Sequence, residues 1–375
     1  MQLPFSDELN IGYLSRLFDN TTNCYKFFWF QSIIKNIDEN HRTFVFDDLI
    51  DEMIINAWYM VTEYHLRLGP IGSTDNLEEL VKYIHEKYGF HSAEKAQNLM
   101  TFLKKTDDKK IRGYKNKLIQ NVPYHVQQPF IDEVIIPRRM WSGSKKILSE
   151  TMNRQGRMLY YYSLFAGLDT RIEITPSWAP YLEKHREILK AWSQLKLIQY
   201  LQNRNPSVPG IADKIEPPST RDINRVRSYW KTIISVDPSL RDIYGNTVLA
   251  EEAISVDHFV PWQYVAHDEL WNLHPTTRGI NSSKNNSLPS WERYFDALGE
   301  IEYRANELRA SAEIVRKEYE KIAPYHLNNQ EIKKQLYEEE LSKNEFKIRL
   351  CNVIKPIYDA AKMQGFKEWN YDSYN

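Results

Sequence analysis

Apolar residues recur at helical spacing through most of the first two hundred positions. In the stretch 20–37, NTTNCYKFFWFQSIIKNI, aromatics and isoleucines crowd one broad face behind a cap-like Asn20-Thr21, which predicts a helix. The stretch 47–68, DDLIDEMIINAWYMVTEYHLRL, has few polar interruptions and predicts a longer, buried helix stopped by Gly69-Pro70. Amphipathic periods follow at 76–88 and 92–105. Residues 120–144 hold three prolines and a β-like run, Val134-Ile135-Ile136, and predict an extended or loop segment. Residues 158–174 favour β structure, with apolar and polar positions alternating through Arg171-Ile172-Glu173-Ile174. Pro176-Ser177-Trp178 then opens a helix running to about Gln202.

The periodicity fails from Asn203 to Thr220, where four prolines and one glycine mark a linker. A helix is predicted over 221–234. Two long charged helices are predicted near 291–322 and 329–363, with breaks at Ala323-Pro324 and Asn328-Asn329. The chain thus divides into a mostly helical N-terminal domain (1–203) for target recognition or regulation, a linker (204–220), a compact module (221–295) and a helical C-terminal extension (296–375). The fold class is mainly α with a small α+β part.

Composition narrows the function classes. The chain has 375 residues, 42% hydrophobic and 26% charged, with a formal net charge of −1, so any nucleic-acid contact must come from local patches. The aromatic share, 13% with 24 Tyr and 10 Trp, suits a large core more than a set of base-stacking platforms. The two cysteines, Cys24 and Cys351, lie far apart, which excludes a cysteine-ligated zinc site and fits a reducing cytoplasm. The first residues lack the flank and apolar run of a signal peptide, and no stretch is apolar enough to span a bilayer, so a cytoplasmic protein without membrane contact is expected.

The chemistry concentrates in 257–289, DHFVPWQYVAHDELWNLHPTTRGINSSKNNSLP. VLAEEAISV predicts a strand entering Asp257-His258, Pro261 ends it, residues 268–273 predict a second strand or turn, and 278–284 predict a short helix carrying Asn281 and Lys284. Asn272 follows His258 by fourteen residues, and Asn281 comes nine later. Taken singly, an Asp-His pair is usually a cap or a surface ion pair, and either Asn a turn residue. In register they are what a one-metal phosphodiester-cutting site needs.

DHFVP, WNL and INSSKNNSLP together resemble the HNH endonuclease family (His-Me finger, ββα-metal), and in particular its cysteine-free branch, similar to the HNH domain of RNA-guided CRISPR effectors. The resemblance covers about thirty-five residues. It implies that His258 is the general base toward water, which suits a neutral imidazole. It implies that Asp257 and Asn281 hold a divalent ion, Mg²⁺ or Mn²⁺ in preference to zinc. It makes Asn272 a brace of the catalytic loop and Lys284 a contact to phosphate or developing charge. His274 is a minor alternative ligand, and His267 is expected to face solvent. Where zinc-bearing relatives place a CxxC, this chain has LRDIYGNTVL, so packing through Leu240, Ile243 and Tyr244 must brace that loop.

The motif cannot hold a polyanion alone: Arg241, Arg278 and Lys284 face six carboxylates between 241 and 289. Three other clusters offer cations. Lys104 to Lys117 reads as a solvated helix face. Arg138, Arg139, Lys145 and Lys146 surround Trp141, with Arg154 and Arg157 nearby. Arg221, Arg225, Arg227 and Lys231 lead into the module. The last two clusters, with Arg278, are the candidate nucleic-acid contacts.

The expected function is metal-dependent endonucleolytic hydrolysis, most readily of DNA with RNA not excluded, in a setting resembling prokaryotic anti-phage defence or restriction. The alternatives are a nuclease subunit activated by a protein partner, a second copy or a signal, and a regulatory nucleic-acid binder with a silent HNH fold.

Overall fold

The structure, a computed structural model, describes residues 2–131, 134, 136–216, 223–338 and 340–371. It is mainly helical with three small sheets among the described residues. Two compact units emerge, one of Met1–Pro206 with Lys214–Pro217, the other of Ser207–Asp213 with Pro218–Asn375. Among the described residues no helix is long and apolar enough to cross a membrane.

The first unit is built on the Tyr25–Asn36 and Phe46–Thr62 helices. Phe27, Phe28, Trp29 and Phe30 are all buried, and each contributes roughly 1.5–3 kcal/mol by leaving water. The first helix begins later than its cap-like residues suggest, because the Thr21 hydroxyl donates to the Phe18 carbonyl in a preceding turn. The second ends at Thr62, short of Gly69-Pro70. His65 adopts φ 53° and the Leu66 N–H bonds back to the Met60 carbonyl, a stop usually supplied by glycine. Asn76–Tyr88 forms as its pattern predicts, capped by Asp75 and closed by Gly89 at φ 69°.

Strand β1 (Thr43–Val45) joins the antiparallel pair β2 (Tyr160–Leu164) and β3 (Arg171–Ile174) in the order β1-β3-β2. The segment expected to be extended or loop, 120–144, has no strand among its described residues and makes short helical turns at Val122–His125, Gln128–Phe130 and Arg138–Ser142. Of its β-like run, Ile135 lies outside the described residues, Val134 is exposed and Ile136 is buried. Most of the Lys104–Lys117 cluster is the solvated face expected, with Lys109, Lys110, Arg112 and Lys117 exposed, but two of its lysines are paired with carboxylates. Lys104 reaches Asp48 and Asp51, and the buried Lys115 reaches Asp47 at 2.8 Å and Asp51 at 2.5 Å. The proline-rich 204–216 is partly packed, with Val208, Ile211 and Lys214 buried; 217–220 lies outside the described residues.

In the second unit the Asn224–Val236 helix buries Val226, Tyr229, Trp230, Ile233 and Ile234. β4 (Ile254–His258) pairs antiparallel with β5 (Leu273–Thr277), setting Asp257 opposite His274. Of the strand or turn expected at 268–273, residues 270–272 form a helical turn, and Leu273 begins the second strand. The Trp230 indole donates to the Leu273 carbonyl and ties the helix to that start. The Arg278–Lys284 helix follows, capped by Thr277. The C-terminal helices break at Ala312, and Pro324 sits inside the last turn of Glu313–His326. After the Lys343–Gln364 helix, β7 (Glu368–Trp369) pairs in parallel with β6 (Leu288–Pro289), and the Tyr358 hydroxyl donates to the Pro289 carbonyl. Tyr358 and residues 368–369 are thereby stitched to the end of the motif.

Candidate active site

Strand, turn, strand and short helix converge on an open cleft of about 320 Å³ whose lining includes Asp257, His258 and Asn281. The antiparallel pairing fixes which faces β4 presents, and the short helix lies against it. The Asn281 amide nitrogen donates to the Ser255 hydroxyl at 2.8 Å and to the Val256 carbonyl at 3.1 Å. A carbonyl only accepts, so the atom facing it is Nδ2, and Oδ1 is the acceptor that Asn281 offers to the cleft.

Asp257 is held from behind. Its carboxylate accepts from the Tyr244 hydroxyl at 2.9 Å and from the Lys284 amine at 3.1 and 3.2 Å. Lys284 is fully buried and also donates to the His258 carbonyl at 2.7 Å. Burial pulls its pKa below the ordinary lysine value, and the attraction of Asp257 opposes that. This placement corrects the expectation of a phosphate contact: both of the amine's bonds go to the protein, on the core side of Asp257.

His274, the alternative ligand, is also enclosed, and it is not among the residues lining the cleft. Its Nε2 lies 3.7 Å from Asp257 Oδ2, and burial pushes its pKa down to about 3, so the ring is neutral. His267 does not stand in solvent: it is half-buried, edge-on to Trp271.

Asn272 is wholly buried and clamps Val260 from both sides, accepting from its N–H at 2.8 Å and donating to its carbonyl at 2.9 Å. With Phe259 N–H bonded to the Asn272 carbonyl, this fixes the two residues after His258. The cysteine-free loop is braced by more than packing. Asp242 accepts from the Tyr244 N–H and the Thr276 hydroxyl, while its own N–H donates to Thr247. Leu240, Ile243 and Tyr244 are buried around it, and a Cβ on Gly245 would stand 3.0 Å from Tyr371.

Two partners escaped the sequence reading. Asp268 places Oδ1 2.8 Å from His258 Nε2. Tyr244 binds Asp257. The signal for Asp268 is a carboxylate at the end of the loop between the paired strands, where the pattern predicts a second strand or turn.

The oxygen donors fit a hard divalent ion. Asp257 supplies a carboxylate and Asn281 an amide oxygen, the sparse set with which Mg²⁺ retains waters and takes substrate oxygens. Among the described residues no group of three or more His, Cys, Asp or Glu could hold a metal. Among the described residues no Arg or Lys lines the cleft.

The expected nucleic-acid contacts are dispersed. Arg278 is exposed at the start of the short helix, Arg225 is exposed with its guanidinium 4.0 Å from the Tyr325 ring centre, and Lys231 is half-buried. In the other unit, Arg139 and Lys146 are exposed, and Lys145 donates to the Trp141 carbonyl at 2.6 Å with its pKa lowered by burial. The Arg138 side chain and Arg221 lie outside the described residues.

Comparison with curated proteins and with solved structures finds no match to the chain. The family model of the HNH endonucleases matches residues 239–290, the segment that carries the loop brace, both strands and the short helix. The ββα arrangement and that match agree, and the chain carries an HNH endonuclease domain.

Proposed function

We propose that this protein is a divalent-metal-dependent endonuclease that hydrolyses phosphodiester bonds in DNA. The observation that carries the reading is the convergence of Asp257, His258 and the Asn281 oxygen on one cleft.

His258 is the base. With the Asp268 carboxylate on Nε2, the ring carries its proton there, and the Nδ1 lone pair is the one that takes a proton from attacking water. Asp268 both orients the ring and steadies the positive charge it gains. Asn272 keeps Phe259 and Val260 in place, so the base does not drift from the phosphorus it serves. Asp257 and Asn281 would hold Mg²⁺ or Mn²⁺, which when bound supplies Lewis-acid stabilisation of charge on the phosphate and the leaving oxygen. Lys284 and Tyr244 hold the Asp257 carboxylate in one orientation for that duty. Because no Arg or Lys among the described residues lines the cleft, backbone affinity is assigned to residues outside it, Arg278, Arg225 and Lys231 in the same unit and the Arg138–Lys146 segment in the other. Fusion of the domain to a larger unit without a recognised chemistry supports a defence or restriction setting in which that unit selects the target.

The test is cleavage of supercoiled plasmid with Mg²⁺ or Mn²⁺, and with EDTA, by wild type and His258→Ala. Metal-dependent cutting by wild type alone supports the reading. Equal cutting by both removes His258 as the base.

A further inference from the structure

The turn that carries Asp268 is not held by the motif alone. It leaves the loop after Pro261 and enters β5 through the helical turn at Leu270–Asn272, closed by the Asn272 N–H on the Glu269 carbonyl at 3.0 Å. Two groups from the far end of the Glu313–His326 helix grip it. His326 Nδ1 lies 2.7 Å from the Asp268 carbonyl. That carbonyl can only accept, so the ring carries its proton on Nδ1. Asn328 then takes the Glu269 carboxylate twice, through its backbone N–H at 3.0 and 3.2 Å and its side-chain amide at 2.8 Å.

These contacts are enclosed. His326 is 5% exposed and Glu269 7%. A buried carboxylate is costly unless its oxygens are satisfied, and Asn328 satisfies them, so the turn has a strong preference for this one arrangement. Both gripping residues lie more than thirty positions beyond the 239–290 match.

We propose that His326 and Asn328 are positioning residues of the nuclease site. They set the Asp268–Glu269 turn, the turn sets Asp268 on His258 Nε2, and the base is thereby fixed in orientation and tautomer. The helical segment after the motif is then part of the active centre, and displacement of its 326–328 end would disarm the site without touching Asp257 or Asn281. The inference rests on His258 as the base.

The experiment compares wild type, His258→Ala, His326→Ala, His326→Asn and Asn328→Ala in full-length protein, by single-turnover cleavage across plasmid concentration. Asparagine places an amide N–H where the histidine Nδ1–H stood, so it can still donate to the Asp268 carbonyl. The expected result is a loss of about tenfold or more in the cleavage rate for His326→Ala and Asn328→Ala. The half-saturating plasmid concentration stays unchanged, and His326→Asn recovers most of the rate. Wild-type rates in both alanine variants overturn the proposal, as does a loss that His326→Asn fails to recover. A second readout needs no catalysis: ¹⁵N-histidine NMR of the His258 ring. Wild type should show one Nε2–H tautomer and the alanine variants a mixture; an unaltered tautomer overturns the proposal. If wild type is as inert as His258→Ala, the nuclease reading fails, and the tautomer measurement still decides the grip.

Discussion

Oδ1 of Asp268 stands 2.8 Å from Nε2 of His258, ten positions apart in sequence and joined across the loop that separates the paired strands. This couples the proposed base to a carboxylate that the bare motif does not include.

Asp268→Asn keeps the size of the side chain but offers a weaker partner to the ring. Its cleavage rate should fall by about ten- to a hundredfold, with Asp268→Ala lower still and substrate affinity little changed. Single-turnover rates across substrate concentration check this. A rise in the half-saturating concentration at constant maximal rate would assign Asp268 to binding instead.

Asn272 makes two buried hydrogen bonds to one residue, Val260. Asn272→Ala leaves that N–H and carbonyl without partners, at about 1–3 kcal/mol for each buried group left unpaired. The variant should unfold at lower denaturant and cut poorly even at temperatures where it is folded. Chemical denaturation run beside the cleavage assay separates the two effects.

Lys284 is the buried cation behind Asp257. Lys284→Met leaves the carboxylate enclosed without its counter-charge, a loss of about 3–5 kcal/mol. A divalent ion at Asp257 would restore part of that charge balance. Mg²⁺ should therefore raise the Tm of the variant more than that of wild type, and equal shifts in a thermal melt would count against Asp257 as a ligand.

Glu302 is buried away from the cleft, and burial raises its carboxyl pKa well above the ordinary value. Between the ordinary glutamate value and the raised one, the unfolded chain has lost this proton while the folded chain keeps it. Folding stability therefore falls as pH rises through that window, by up to about 1.4 kcal/mol per pH unit. Glu302→Gln removes the dependence. Its Tm advantage over wild type should widen from pH 5 to pH 8, and a constant difference would mean that Glu302 ionises normally in the fold.

Local information made much of this protein legible. Asp75 and Gly89 mark the ends of Asn76–Tyr88, and Thr277 marks the start of Arg278–Lys284, because a cap or a left-handed residue acts on its immediate neighbours. The register of Asp257, His258, Asn272 and Asn281 was likewise readable, since one short ββα unit fixes their spacing. Where non-local contacts decide the outcome, the pattern misled. Within the cationic run at 104–117, Lys104 and Lys115 are paired with Asp47, Asp48 and Asp51 on another helix, while Lys109, Lys110, Arg112 and Lys117 stay exposed. Lys284 had a legible position on its helix, but the side of Asp257 it approaches depends on how that helix packs on β4. His326 and Asn328 carry no motif at all, and they reach the Asp268–Glu269 turn only because the chain folds back on itself. Sequence spacing specifies chemistry within one small supersecondary unit, where the backbone geometry is nearly fixed. Burial, charge pairing and support from distant segments are properties of the packed whole, and the tertiary structure alone assigns them.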